Sequence, residues 1–200
     1  MTTGFPLRVP LPRVVEGGGI RLEVQDGPGP DVLRPLVDRS RSTLSCFLGW
    51  AVTPLSPDEE AAHQADALDQ WRRGLMGPWV IYEGGEPRGA LGLHRRGGPD
   101  ELEIGYWLDD LATGRGIMTT ACRLATDVAF EAEGVDFVEI HHDKANLRSG
   151  AVPARLGYRR CAAYTAVPRA RLETGVKVVW RVSRRDWLAR GLPTSVQRAE

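Results

Sequence analysis

The stretch that most constrains this chain is residues 101–132, where a strand-like run empties into a glycine-rich turn that opens a long helix. Residues 101–108 have the strand pattern, Thr113-Gly114-Arg115-Gly116 forms the turn, and Ile117, Ala121, Leu124, Ala125, Val128 and Ala129 fall on one helical stripe. Such a junction leaves the first helical amides without intrahelical acceptors and aims them, with the positive end of the helix dipole, out of the helix. Gly114 and Gly116 allow positive φ and close backbone approach. The ligand this geometry suits is a phosphate or pyrophosphate. No Gly-Lys-Ser/Thr follows, so this is not a Walker loop. The glycine spacing and the lack of a preceding parallel βαβ unit also set it apart from a dinucleotide fingerprint.

The flanking sequence supplies a mixed sheet. Residues 20–25 alternate as a half-buried strand, and Asp31 stands where it would cap a helix carrying Val32, Leu33, Leu36 and Val37. Ser56-Pro57-Asp58-Glu59 reads as an N-cap, a first-turn proline and two acids, opening a helix that runs to Arg73 and stops at Gly74. Residues 79–82 and 88–93 form strands across a turn at Gly85, and residues 135–142, 160–166 and 176–182 add three more. A short helix ends at Leu156, before Gly157. The order specifies one α+β domain over residues 20–188. Residues 1–19, rich in proline and glycine, read as a flexible N-terminal arm, and residues 189–200 as a tail.

Composition narrows the function classes. Lys plus Arg and Asp plus Glu are both 26, so the basic excess of a nucleic-acid binder is missing. Uncharged runs are short and broken by Gly or Pro, so nothing is built to span a bilayer, and no secretory leader opens the chain. Cys46, Cys122 and Cys161 share no metal-ligand spacing and are odd in number, which implies reduced thiols, a cytoplasmic location and no metal.

The run EIGYWLDDLATGRGIMTTA, followed by VEIHHDKANLRSGAVPARLGYRR, resembles the acetyl-CoA-binding half of the GCN5-related N-acetyltransferase (GNAT) superfamily. With LVDRSRSTLSCFLGW and VVWRVSRRDW it is most similar to the ribosomal-protein (Rim-type) branch. The resemblance implies a mixed, mostly antiparallel sheet splayed at its centre and flanked by helices, with acetyl-CoA as co-substrate. Trp107 and Leu108 would offer backbone groups to the pantetheine arm. The loop through Thr113, Gly114, Arg115, Gly116, Ile117 and Met118 would hold the pyrophosphate, with Thr119 capping it. Asn146 would contact the arm, and Ser149 would face the sulfur. The chain departs from the family pattern at Thr113, where Arg or Gln is usual, and at Met118, where a small residue is usual. Pro153 also falls inside a predicted helix, which predicts a kink or a late start there.

Acetyl transfer to an amine needs a neutral nucleophile, a polarised thioester and a proton donor for the leaving thiolate. Glu103, on the strand leading to the loop, is the candidate general base, and Ser149 the candidate donor. His141 and His142 alternate faces on one strand, so one alone can reach the cleft. Tyr164 is a further proton-donor candidate, Cys122 a core filler, and Trp50, Trp71 and Trp79 belong to the half that forms the acceptor pocket in this family. The acceptor is a primary amine, either a protein N-terminus or a small molecule of antibiotic or polyamine type. A homodimer is compatible with this reading, and a non-catalytic CoA-binding module is its rival.

Overall fold

The computed structural model describes residues 11–25, 32–95, 98 and 100–190. Within them, β1 (Val14–Gly17) and β2 (Ile20–Val24) form a hairpin closed by Gly18 and Gly19, at φ 60° and 77°. This corrects the expected arm over residues 1–19. Residues 1–10 lie outside the described residues, but a Gly-Gly pair between apolar residues makes a tight hairpin turn. Leu11, Val14 and Val15 are buried, and the carbonyls of Leu11 and Pro12 accept from the indoles of Trp71 and Trp79 at 3.0 and 3.1 Å.

Helix α1 (Arg34–Leu44) starts after Leu33 with Pro35 in its first turn; the expected cap, Asp31, lies outside the described residues. A short 3₁₀ turn, Gly49–Ala51, follows it. Helix α2 (Pro57–Arg72) is capped by Ser56 as expected, and Glu59 completes a capping box: Ser56 Oγ accepts from the Glu59 amide at 3.3 Å, and the Glu59 carboxylate accepts from the Ser56 amide at 2.8 Å. Strands β3 (Met76–Glu83) and β4 (Glu86–His94) turn through Gly84 and Gly85, and β5 (Glu101–Leu108) pairs with β4. Then come α3 (Ile117–Glu131), β6 (Phe137–Asp143), α4 (Leu147–Arg155), β7 (Arg159–Thr165), β8 (Val176–Ser183) and α5 (Arg184–Leu188).

The sheet order is β1-β2-β3-β4-β5-β6-β8-β7, and every neighbouring pair is antiparallel except β5 with β6. Helix α3 lies on one face, where Ile117, Ala121, Leu124, Ala125 and Val128 join Leu22, Ile81, Leu91, Leu102 and Ile104 in the core. At the C-terminal end, Arg190 reaches back to the carbonyls of Leu156 and Gly157; residues 191–200 of the expected tail lie outside the described residues.

Two local conflicts in α4 are resolved by the fold. The helix starts at Leu147 on an Asn146 cap, so it does not start late, and Pro153 sits inside it. A proline at 153 removes the amide that would bond the Ser149 carbonyl. The Tyr106 hydroxyl donates to that carbonyl instead, at 2.9 Å. Gly150, a poor helix former, packs against the His142 ring: a Cβ there would lie 2.7 Å from two ring atoms.

Candidate active site

The predicted anion cradle is open. Gly116, at φ 81°, is the N-cap of α3, and the helix has neither a capping side chain nor an acid in its first turn. The amides of Ile117, Met118 and Thr119 therefore find no acceptor within the helix. A Cβ added at Gly114 or Gly116 would meet nothing within 4 Å, so the space before the helix is free. The departures from the family pattern do not crowd it. Met118 turns its side chain into the core, and Thr113 Oγ1 donates to the Asp110 carbonyl at 2.9 Å, closing the preceding 3₁₀ turn (Asp110–Ala112). Arg115 is paired with Glu83 at 2.7 Å on the β3–β4 hairpin, and with Arg115 half exposed such a pair is weak.

Beside this loop the sheet opens. β5 and β6 pair only at Glu101↔Phe137, Leu102↔Val138 and Glu103↔Glu139, and beyond Glu103 they part. The Asp109 amide donates to the Arg88 carbonyl at 2.8 Å. Ladder alternation then turns the Trp107 backbone toward β4 and the backbones of Tyr106 and Leu108 toward the gap. Of the two residues expected to offer backbone groups here, Leu108 turns them toward the gap, as does Tyr106, while Trp107 turns them toward β4. The gap is thus edged by unpaired backbone groups of β5, and the strand leads from it into the glycine loop before α3.

The two candidate catalytic groups stand on opposite faces of this gap. On the α3 face, Ser149 Oγ donates to the Tyr106 hydroxyl at 3.2 Å, and burial pushes the Tyr106 phenol well above its ordinary value. Asn146 accepts from the Ser149 amide at 3.2 Å and so caps α4. His142 is also on this face. It donates from Nδ1 to the Asp143 carbonyl and accepts from the Trp180 indole at 2.9 Å, while burial lowers its pKa; it is a neutral structural residue. Cys122 is fully buried in α3, and burial raises its thiol far from reactivity.

On the other face, Glu103 lies 3.9 Å from His141 Nδ1, whose Nε2 is 2.7 Å from Glu139. Arg181 bridges Glu139 and Glu101 at 2.6 Å each and stacks on Phe137. Burial alone would raise Glu139, but the hydrogen bonds from His141 and Arg181 outweigh it and hold it below its ordinary value. Glu139 thus stays charged and orients the His141 ring, whose Nδ1 faces Glu103 and, at 3.3 Å, the Tyr164 hydroxyl. Trp50, nearly half exposed, stands edge-on to Trp107 on this face at 6.0 Å, whereas Trp71 and Trp79 are tied to the N-terminal segment.

Two anchors carry no signal in the sequence. Asp109 is fully buried and accepts from Arg39 Nε and Nη2 at 2.8 and 2.6 Å and from Ser40 Oγ at 2.9 Å, tying α1 to the root of the glycine loop. Asp143 accepts from the amides of Ala145, Thr174 and Gly175, fixing the end of β6 against the start of β8. Apart from the Ala145 amide two residues on, the partners named here lie 31 to 70 residues away in sequence, and no local pattern marks them. Among the described residues no group of three or more His, Cys, Asp or Glu is disposed to hold a metal ion, and no helix is long and apolar enough to cross a membrane.

Residues 32–159 match the family model of the acetyltransferase (GNAT) domain, and the chain belongs to that family of N-acetyltransferases. It is 32% identical over 132 residues, 63% of this chain and 70% of the relative, to the Bacillus subtilis (strain 168) protein named "Putative ribosomal N-acetyltransferase YdaF". The solved structure of RimL, a ribosomal L7/L12 α-N-protein acetyltransferase in complex with coenzyme A, shares the fold at a TM-score of 0.77 and 21% identity, covering 85% of this chain and 97% of that one. The microcin C7 self-immunity acetyltransferase MccE, in complex with acetyl-CoA and AMP, superposes at a TM-score of 0.75 and 14% identity, covering 84% and 93%.

Proposed function

We propose that this enzyme transfers the acetyl group of acetyl-CoA directly to a primary amine, with a protein N-terminal amine as the favoured acceptor. The observation that carries this is the parting of β5 from β6 immediately after Glu103, with Glu103 on one face of the gap and Ser149 on the other. A thioester drawn through the gap would meet the amine from the Glu103 side. Glu103, beside His141, would take the ammonium proton, directly or through a water, so that the nitrogen lone pair is free to attack. Leu108 and Tyr106 would hold the arm through their backbones, and the amides of residues 117–119 would hold the pyrophosphate. From the opposite face Ser149 would turn its single hydroxyl proton from the Tyr106 oxygen to the leaving sulfur.

The likeness to proteins named for ribosomal N-acetylation supports a protein terminus as acceptor. Carboxylates and the exposed Trp50 on the Glu103 face suit a cationic, extended chain end. The test is Glu103→Gln, which keeps the shape and removes the base. Turnover should fall by roughly 10²–10⁴-fold with CoA affinity unchanged, and raising pH should partly restore it as more amine becomes neutral. Wild-type turnover across pH in this variant would remove Glu103 from the reaction.

A further inference from the structure

We infer that Tyr106 is a positioning residue for Ser149, supplying through its hydroxyl the hydrogen bond that the helix loses at Pro153. In an unbroken helix the amide of residue 153 would donate to the carbonyl of residue 149. Proline has no such amide, and an unsatisfied carbonyl beside an apolar core is costly. Tyr106 comes from a different element, β5, and its hydroxyl donates to that carbonyl at 2.9 Å. The same oxygen accepts from Ser149 Oγ at 3.2 Å. One phenol thus binds residue 149 at both its carbonyl and its hydroxyl, and so fixes where α4 presents Ser149 to the gap.

The arrangement is specific in three ways. Burial keeps the Tyr106 phenol protonated, so it remains a donor to the carbonyl throughout the working pH range. Its ring packs against the core, so the hydroxyl is held in place rather than free to swing. Its backbone, by ladder alternation, also edges the gap, so one residue couples the strand that would hold the pantetheine arm to the helix that carries the proton donor. The proline is therefore matched by the tyrosine rather than merely tolerated. The catalytic half of this inference rests on the role proposed for Ser149; the structural half does not.

The test is a cycle of four proteins: wild type, Tyr106→Phe, Pro153→Ala and the double variant. Pro153→Ala restores an amide that can donate to the Ser149 carbonyl, so the tyrosine hydroxyl should matter less in its presence. Tyr106→Phe alone should lower kcat about tenfold, the size of one lost hydrogen bond, with KM for the amine little changed. In the Pro153→Ala background the same change should cost about threefold or less. The urea midpoint, read on the same four proteins, should show the same non-additivity without any need for turnover. Equal effects of Tyr106→Phe in both backgrounds, on rate and on midpoint, would overturn the inference. If Tyr106→Phe folds only when combined with Pro153→Ala, the coupling is upheld, and failure to fold in both backgrounds rejects it. If wild type turns over no amine, the proposed function fails while the midpoint cycle still decides the structural half.

Discussion

Asp109→Asn is the sharpest test of how α1 is fastened to the cofactor loop. The wild-type carboxylate is fully buried and accepts three hydrogen bonds, two from Arg39 and one from Ser40. Asparagine keeps one acceptor oxygen, which can hold the Arg39 Nε and Ser40 contacts on the Oδ1 side. It places an amide NH₂ against Arg39 Nη2, where the wild type has its 2.6 Å contact, so a donor faces a donor. A hydrogen bond to a charged group contributes about 1.5–3 kcal/mol. The Arg39 side chain is 41% exposed and can rehydrate, so the estimate belongs near the lower end, about 2 kcal/mol. For a chain of this length that is a fall in Tm of about 4–8 °C. Arg39 and Ser40 hold the Asp109 carboxyl below its ordinary 3.8 against the opposing effect of burial. A lowered folded value means its stabilisation is complete above the unfolded value and is lost as pH falls through the folded one. The difference between the two proteins in urea unfolding should be constant from pH 7 to 5 and shrink below about pH 4. CoA affinity should weaken as well, because Asp109 roots the loop. An unchanged urea midpoint at pH 7, or a difference as large in acid as at neutrality, would refute the reasoning.

Gly116→Ala forces a side chain into the left-handed conformation at φ 81° and should weaken CoA binding about tenfold in calorimetry. Gly134→Ala is the control: it has φ 77° and equally open surroundings but lies past the other end of α3, so it should lose comparable stability and leave CoA affinity intact. Trp50→Ala should raise the amine KM several-fold without changing the CoA Kd, since Trp50 touches Trp107 on the face opposite Ser149. An unchanged KM would move the acceptor site elsewhere.

Local chemistry was legible in the sequence where it acts over a few residues. The Ser56 N-cap, the turn at Gly85, the Gly116 junction and the α3 stripe all stand where their patterns put them. Rules tied to single residues misled where a distant partner intervened. Pro153 breaks a helix only if nothing replaces its amide, and Tyr106 replaces it from another strand. Gly150 weakens a helix except where His142 needs the space. The glycines before Ile20 looked like loose lead-in because the strand they close, Val14–Gly17, is only four residues long. At the candidate site, the motif singles out Glu103, Ser149 and the loop, and the structure sets Glu103 and Ser149 on opposite faces of the β5–β6 gap. The Glu101–Arg181–Glu139–His141 chain could not, since it joins β5, β6 and β8 at a parallel junction that no local pattern encodes.

The central claim is direct acetyl transfer across the gap between β5 and β6, and a panel assay with radiolabelled acetyl-CoA tests it most directly. Purified enzyme would be offered short peptides with free N-termini, the same peptides with blocked N-termini, polyamines and aminoglycosides, with thiol release and product mass both recorded. The account predicts thiol release matched one for one by N-terminal acetylation of the free peptides, no label on the enzyme when acceptor is omitted, and loss of both signals in Glu103→Gln. Label that accumulates on the enzyme without acceptor, or tight CoA binding with no thiol released to any amine, would contradict it.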